Sequence, residues 1–248
     1  MSKKEKLLKY YTADGYPGDG DWIEGCFFTR KLKEADIVIF QGGTDISPSI
    51  YGEKKGYFTQ VSGLTPRDEK EIKLYNYCIE NGIFMIGICR GLQLLSALNG
   101  ARLIQDTTDH AGRSHKVKTW DNQVCEVNSL HHQMVYPWDL PEEDYKLLMY
   151  SKGISKHYLN GDDEDINFSL KAIDEDGLII EPEAIYYPKT RCLGVQFHPE
   201  MMGWRSWEWN LDKNSSDVHT LDYLNNLTKT LYYESNYFDR IAKEQTIF

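Results

Sequence analysis

An apolar run that ends at a cysteine between two glycines constrains this chain more than any other feature: Phe84-Met85-Ile86-Gly87-Ile88-Cys89-Arg90-Gly91-Leu92-Gln93-Leu94-Leu95. A strand of this kind that passes through a glycine-flanked turn into a helix lifts one side chain out of the sheet and displays it, here a thiol. Far downstream, Leu193-Gly194-Val195-Gln196-Phe197-His198-Pro199-Glu200 repeats the theme: a second short apolar strand delivers a histidine with a carboxylate two residues later. Together the two segments suggest a Cys89-His198-Glu200 triad.

The chemistry of the thiol supports that grouping. A free cysteine is mostly protonated at neutral pH, so a nearby imidazole is needed to hold the thiolate and later to protonate a leaving group. If Cys89 begins a helix, the free N–H groups of the first turn further stabilise the anion. His198 is the best partner because neighbouring parallel strands bring their carboxyl ends together, and Glu200 can accept a hydrogen bond from the far ring nitrogen. An apolar-flanked cysteine is ordinarily a packing residue. Gly87, Gly91 and the His-Pro-Glu strand end set Cys89 apart, whereas Cys26, Cys78, Cys125 and Cys192 lack such a setting and read as core.

Around these segments the pattern is that of an α/β fold. Ala35 to Phe40 reads as a buried strand halted by Gly42-Gly43, Pro66 to Glu80 as a one-sided helix ended by Asn81-Gly82, Ile83 to Ile88 as the next strand, and the helix after Cys89 stops at Asn99-Gly100. That order predicts a doubly wound, mostly parallel sheet flanked by helices. Val117–Trp120, Gln123–Val127, Tyr145–Tyr150, Phe168–Ile173 and Leu178–Ile180 read as short strands, forming a small mixed or antiparallel extension. The acidic run Asp162-Asp163-Glu164-Asp165 reads as a solvated loop. Residues 1–248 are expected to form a single domain, with a divergent aromatic-rich segment over 201–248 that carries Trp204, Trp207 and Trp209 and an amphipathic helix from about Asp217.

Composition narrows the partners. With 38 acidic against 28 basic residues and a net charge of −10, the chain offers no general attraction to nucleic acid or an anionic membrane. Five cysteines without metal-site spacing, and a basic start without a sustained apolar stretch, point to a reducing, cytoplasmic setting with neither signal nor anchor. His110, His115, His131 and His132 do not form a compact zinc signature, and His110 and His115 read as solvated loop residues. Neither a metal nor a cofactor is expected.

The motifs resemble those of the class I glutamine amidotransferase family, closest to its stand-alone gamma-glutamyl hydrolase, or peptidase C26, branch. The resemblance rests on Gly87-Ile88-Cys89-Arg90-Gly91-Leu92-Gln93, on Phe197-His198-Pro199-Glu200, and on Gly42-Gly43 followed by Thr44-Asp45-Ile46-Ser47-Pro48. Arg67-Asp68 and Val127-Asn128-Ser129-Leu130-His131-His132-Gln133 add branch-level matches. It extends from about residue 35 to residue 200, and implies a flavodoxin-like class I glutamine amidotransferase fold.

The resemblance also implies a reaction. Cys89 would attack the γ-amide of glutamine or of a γ-glutamyl amine, His198 would pass the proton to ammonia or amine, and water would release glutamate from a γ-glutamyl thioester. It implies an oxyanion hole at the backbone N–H groups of Gly43 and Arg90, and a glutamyl pocket shaped by Gln93, Ser129, Leu130 and His131. Two alternatives stay open: a glutaminase subunit that passes ammonia to a separate synthase, and a catalytically silent interaction protein. A homo-oligomer is compatible with each.

Overall fold

The computed structural model describes residues 7–202 and 216–233. The tryptophan-bearing segment singled out above lies outside the described residues, apart from its helix.

Each element forms for a local reason. The first strands are β1 (Leu8–Thr12), β2 (Cys26–Phe28) and β3 (Ile37–Phe40). Every residue of β3 is buried because the strand is covered on both faces: Val38 and Phe40 enter one core, Ile37 and Ile39 the other. Helix α1 (Pro66–Asn81) starts with a capping box in which Thr65 and Asp68 satisfy each other's backbone donors, carries Pro66 in its first turn, and stops at Gly82 in a left-handed conformation. Strand β4 (Phe84–Ile88) and helix α2 (Arg90–Leu98) follow, joined at Cys89.

The middle of the chain supplies β5 (Arg102–Ile104), β6 (Asp106–Thr107), β7 (Arg113–Thr119), β8 (Val124–Ser129), β9 (Met134–Tyr136), β10 (Lys146–Lys152) and β11 (Tyr158–Leu159). Strands β12 (Ile180–Tyr187) and β13 (Cys192–Val195) and helix α3 (Ser216–Tyr233) complete the described elements. A nine-stranded sheet runs in the order β2-β1-β3-β4-β13-β12-β10-β7-β8. From β2 to β13 the neighbours are parallel, and from β13 to β8 they are antiparallel. Two short pairs, β5 with β9 and β6 with β11, lie outside it.

The fold is the expected α/β architecture with an antiparallel extension. One expected strand differs: Leu170–Ala172, within Phe168–Ile173, is a short 3-10 turn capped by Ser169, and Leu170 is 87% exposed. A few apolar residues in succession do not fix a period, and the segment's only described strand pairing is the single antiparallel bridge of Ile173 with Ile179.

Two apolar layers sandwich the sheet. Leu74, Tyr75 and Cys78 of α1 and Leu92 and Leu95 of α2 pack on one face, while Leu224 and Leu231 of α3 pack on the other against Phe84, Ile86 and Ile88. The acidic run 162–165 is exposed, as its composition suggests. No described helix is long and apolar enough to cross a membrane.

Candidate active site

The turn at Cys89 is built by close backbone approach. A β-carbon on Gly91 would lie 1.9 Å from the Phe40 carbonyl oxygen, and one on Gly87 would lie 2.5 Å from the Gly91 main chain. Only glycine lets α2 sit this close to β3 and β4. Cys89 itself takes φ 50° and ψ −106°, a conformation that L-residues rarely adopt, and caps α2 without a side-chain bond. Its N–H donates to the Val195 carbonyl at 2.7 Å, which ties the turn to the end of β13.

That tie brings His198 to Cys89. Strand β13 lies parallel to β4 with Val195 opposite Ile88, so the residues just beyond both strands share one sheet edge. The His198 ring and the Cys89 side chain both border Gly42, and His198 Nδ1 meets Glu200 Oε1 at 2.6 Å. Burial works against a charged ring, but the neighbouring Cys89 and Glu200 and their negative charge outweigh it and raise the His198 pKa to about 10. The two side-chain amide atoms of Asn128 clamp the His198 main chain, accepting from its N–H at 2.8 Å and donating to its carbonyl at 2.9 Å.

The other four cysteines have different surroundings. Burial pushes the thiols of Cys26, Cys78 and Cys192 up to about 12, and that of Cys125 upward as well. All five are free.

Gly42 and Gly43 form the opposing wall. A β-carbon on Gly42 would sit 2.7 Å from His198 Cε1 and 3.6 Å from Cys89 Cβ, and Gly43 has φ 139°. Arg90 is the first residue of α2, where a backbone N–H has no partner within the helix.

The Arg90 side chain does more than its position suggested. It is buried between Asp68, at 2.6 Å, and Glu71, both on α1. Glu71 also accepts from Arg67 Nε at 2.8 Å, and Arg67 Nη2 donates to the carbonyls of Gln41 and Gly42 at 2.9 and 3.0 Å. One charged chain therefore runs from the Gly42-Gly43 wall through Arg67, Glu71 and Arg90 to the residue after Cys89. The i, i+4 spacing of Arg67 and Glu71 was the available signal for it.

The expected pocket residues divide. Gln93 and His131 are buried and both bond the Gln133 carbonyl, through Gln93 Nε2 at 3.1 Å and His131 Nδ1 at 3.0 Å. Burial and the neighbouring histidines hold the His131 pKa well below its ordinary value. Ser129 is buried at the end of β8, and Leu130 is half exposed. Neither His110 nor His115 is the solvated loop residue expected: His110 is fully buried and His115 largely so, because both turn toward β12, His110 to Glu181 and Glu183 and His115 to Glu183.

The peptidase C26 family model matches residues 25–200. This chain belongs to the peptidase C26 family, within the class I glutamine amidotransferase-like superfamily. It is 28% identical over 180 residues to a glutamine amidotransferase-like protein, YvdE, of Lactococcus lactis, covering 71% of this chain and 69% of that one. It is 30% identical over 172 residues to protein NtpR of Enterococcus hirae, covering 68% and 69%. Among solved structures, a glutamine amido transferase from Methylobacillus flagellatus has the same fold, with a TM-score of 0.53 at 12% identity over 93% of this chain and 95% of that chain. The match over residues 25–200 takes in both the Cys89 turn and the His198 strand end.

Proposed function

We propose that the chain is a cysteine-dependent amidohydrolase that cleaves the γ-amide of glutamine or of a γ-glutamyl amine. The observation that carries this reading is the position of the His198 ring, beside Cys89 at the Gly42 wall and hydrogen-bonded to the Glu200 carboxylate. Family membership supports the class of chemistry.

In the proposed reaction the Cys89 sulfur attacks the amide carbon and the carbonyl oxygen takes up negative charge. The backbone N–H groups of Gly43 and Arg90 stabilise that oxyanion. Imidazolium His198 gives its proton to the departing ammonia or amine, leaving a γ-glutamyl thioester, and the neutral ring then takes a proton from water as the thioester is hydrolysed to glutamate. Glu200 holds the ring's tautomer throughout. The glutamyl group would lie against Gln93 and the segment Ser129-Leu130-His131.

A panel of glutamine and γ-glutamyl amines, with glutamate release as readout, tests the reading. Turnover that disappears in Cys89→Ala is expected. No turnover on any member, together with failure of a glutamine-like chloroketone to label Cys89 in folded protein, would leave a silent interaction protein as the better description. Activity confined to glutamine and stimulated by a copurifying protein would instead select an ammonia-delivering subunit.

A further inference from the structure

A second polar cluster gathers histidines around Glu183 of β12. His110 precedes β7, His115 is within it, His131 follows β8, and Glu183 is on β12. His110 and Glu183 are fully buried, His131 is 3% exposed, and the His115 side chain is 11% exposed. Donor atoms of His110, His115 and Glu183 all lie within 4.8 Å of one another, and the His131 ring centroid is 4.4 Å from that of His110.

The hydrogen bonding of this group is incomplete in a consistent way. His115 Nε2 bonds Glu183 Oε1 at 2.7 Å, which leaves His115 Nδ1 and Glu183 Oε2 buried and without a hydrogen-bond partner. His131 Nδ1 faces the Gln133 carbonyl, which only accepts, so that nitrogen carries the proton and Nε2 is a bare lone pair, buried and unpartnered. His110 Nδ1 stands 3.5 Å from Ser129 Oγ and 3.9 Å from Glu183 Oε1, while its Nε2 faces Glu181 Oε1 at 3.5 Å.

Native interiors satisfy nearly all of their buried polar atoms, so His115 Nδ1, His131 Nε2 and Glu183 Oε2, unpartnered together in one cluster, need a reason. The neighbouring Glu181 shows the contrast: it accepts from Ser151, the amides of Ile154 and Ser155, and the Tyr158 hydroxyl, and it also faces His110 Nε2, so neither of its oxygens is left bare. An imidazole whose second nitrogen faces a carboxylate, as His110 Nε2 faces Glu181, is the usual form of a metal-bound histidine. Imidazole and carboxylate donors together suit a divalent transition cation, Zn²⁺ foremost.

We propose that His110, His115 and Glu183 form a binding site for a divalent transition metal, with His131 at its margin. The ion would join the loop before β7 to β7 and to β12, beside the strand end that carries Ser129. Sequence spacing hid the site because its carboxylate is 68 residues from its nearer histidine.

The test uses the full chain, stripped with a chelator and titrated with Zn²⁺ and with Co²⁺. One metal per chain is expected, with affinity reduced about 10-fold or more in His115→Ala and in Glu183→Gln. Bound Co²⁺ should give a four-coordinate visible spectrum without the thiolate charge-transfer band that Cys89 ligation would produce. Circular dichroism confirms that each variant is folded, and the Co²⁺ spectrum of the parent decides the ligand type if either is not. Failure of the folded parent to retain metal, retention unchanged in both folded variants, or a thiolate band would each overturn the proposal.

Discussion

Gly91 lies directly against the main chain of Phe40, where a β-carbon would meet the carbonyl oxygen at 1.9 Å. Backbone on one side and the α2 axis on the other leave no flexible atom to yield. Gly91→Ala is therefore expected to destabilise the fold by about 3 kcal/mol, since it forces apart two packed elements. Urea unfolding checks this; a loss below about 1 kcal/mol would mean that α2 shifts easily and that the turn at Cys89 is not fixed by this contact.

The same packing explains how much of the site could be read from the sequence. Gly87, Cys89 and Gly91 are within five positions of one another, and His198-Pro199-Glu200 is continuous, so each half of the site is written locally. Their meeting follows from the parallel pairing of β4 and β13, which the all-apolar strands already implied. The ion pairs of Arg90 with Asp68 and Glu71 span 22 and 19 residues, and the Asn128 clamp on His198 spans 70. No periodicity marks such pairs: Arg67 to Glu71 looks like an ordinary solvated face until the fold turns it inward. The opening strand was obscured for a related reason. Leu8, Tyr10 and Thr12 point into the structure, but Lys9 between them is exposed and the run is only five residues long.

Arg90 is predicted to carry more of the stability than its place beside Cys89 suggests. Its side chain is 2% exposed, and its partners Asp68 and Glu71 are 0% and 3% exposed. Arg90→Met leaves Asp68 buried without its cation and Glu71 with Arg67 alone, and a loss of about 3–5 kcal/mol is expected. Thermal or urea denaturation measures it, and a parent-like midpoint would show that water reaches the acids.

Arg67 differs because its side chain is 39% exposed while its guanidinium holds two carbonyls of the glycine wall. Arg67→Met should cost little stability yet lower kcat on the best γ-glutamyl substrate by about 10-fold to 100-fold with KM nearly constant, because displacement of the wall affects the oxyanion more than the ground state. A change confined to KM would assign Arg67 to substrate binding instead.

Glu200 sets the alkaline behaviour. The His198 pKa of about 10 lies above the unfolded value near 6.5, so protonation of the ring stabilises the fold fully below pH 6.5, and this contribution is lost as pH rises through about 10. In the proposed reaction, the proton given to the leaving amine is lost over the same range. Glu200→Gln removes one of the negative charges that raise the pKa, so the alkaline limb of kcat/KM should move to lower pH and the plateau should fall roughly 100-fold. A pH–rate profile with an unmoved limb would remove Glu200 from the proposed triad.

Cys89 combines a strained backbone with a place beside the His198 imidazole, and the two properties separate under substitution. At φ 50° and ψ −106° any β-carbon is disfavoured, at a cost of order 1–3 kcal/mol. Cys89→Ala and Cys89→Gly both remove the sulfur and should both abolish glutamate release. They should differ in stability, with the glycine variant more stable than the alanine variant by about 1 kcal/mol even though glycine loses more chain entropy on folding. Parallel denaturant titrations give the comparison. Equal or lower stability of the glycine variant would mean that the turn holds Cys89 without strain, and that display of the sulfur rests on the Gly87 and Gly91 contacts alone.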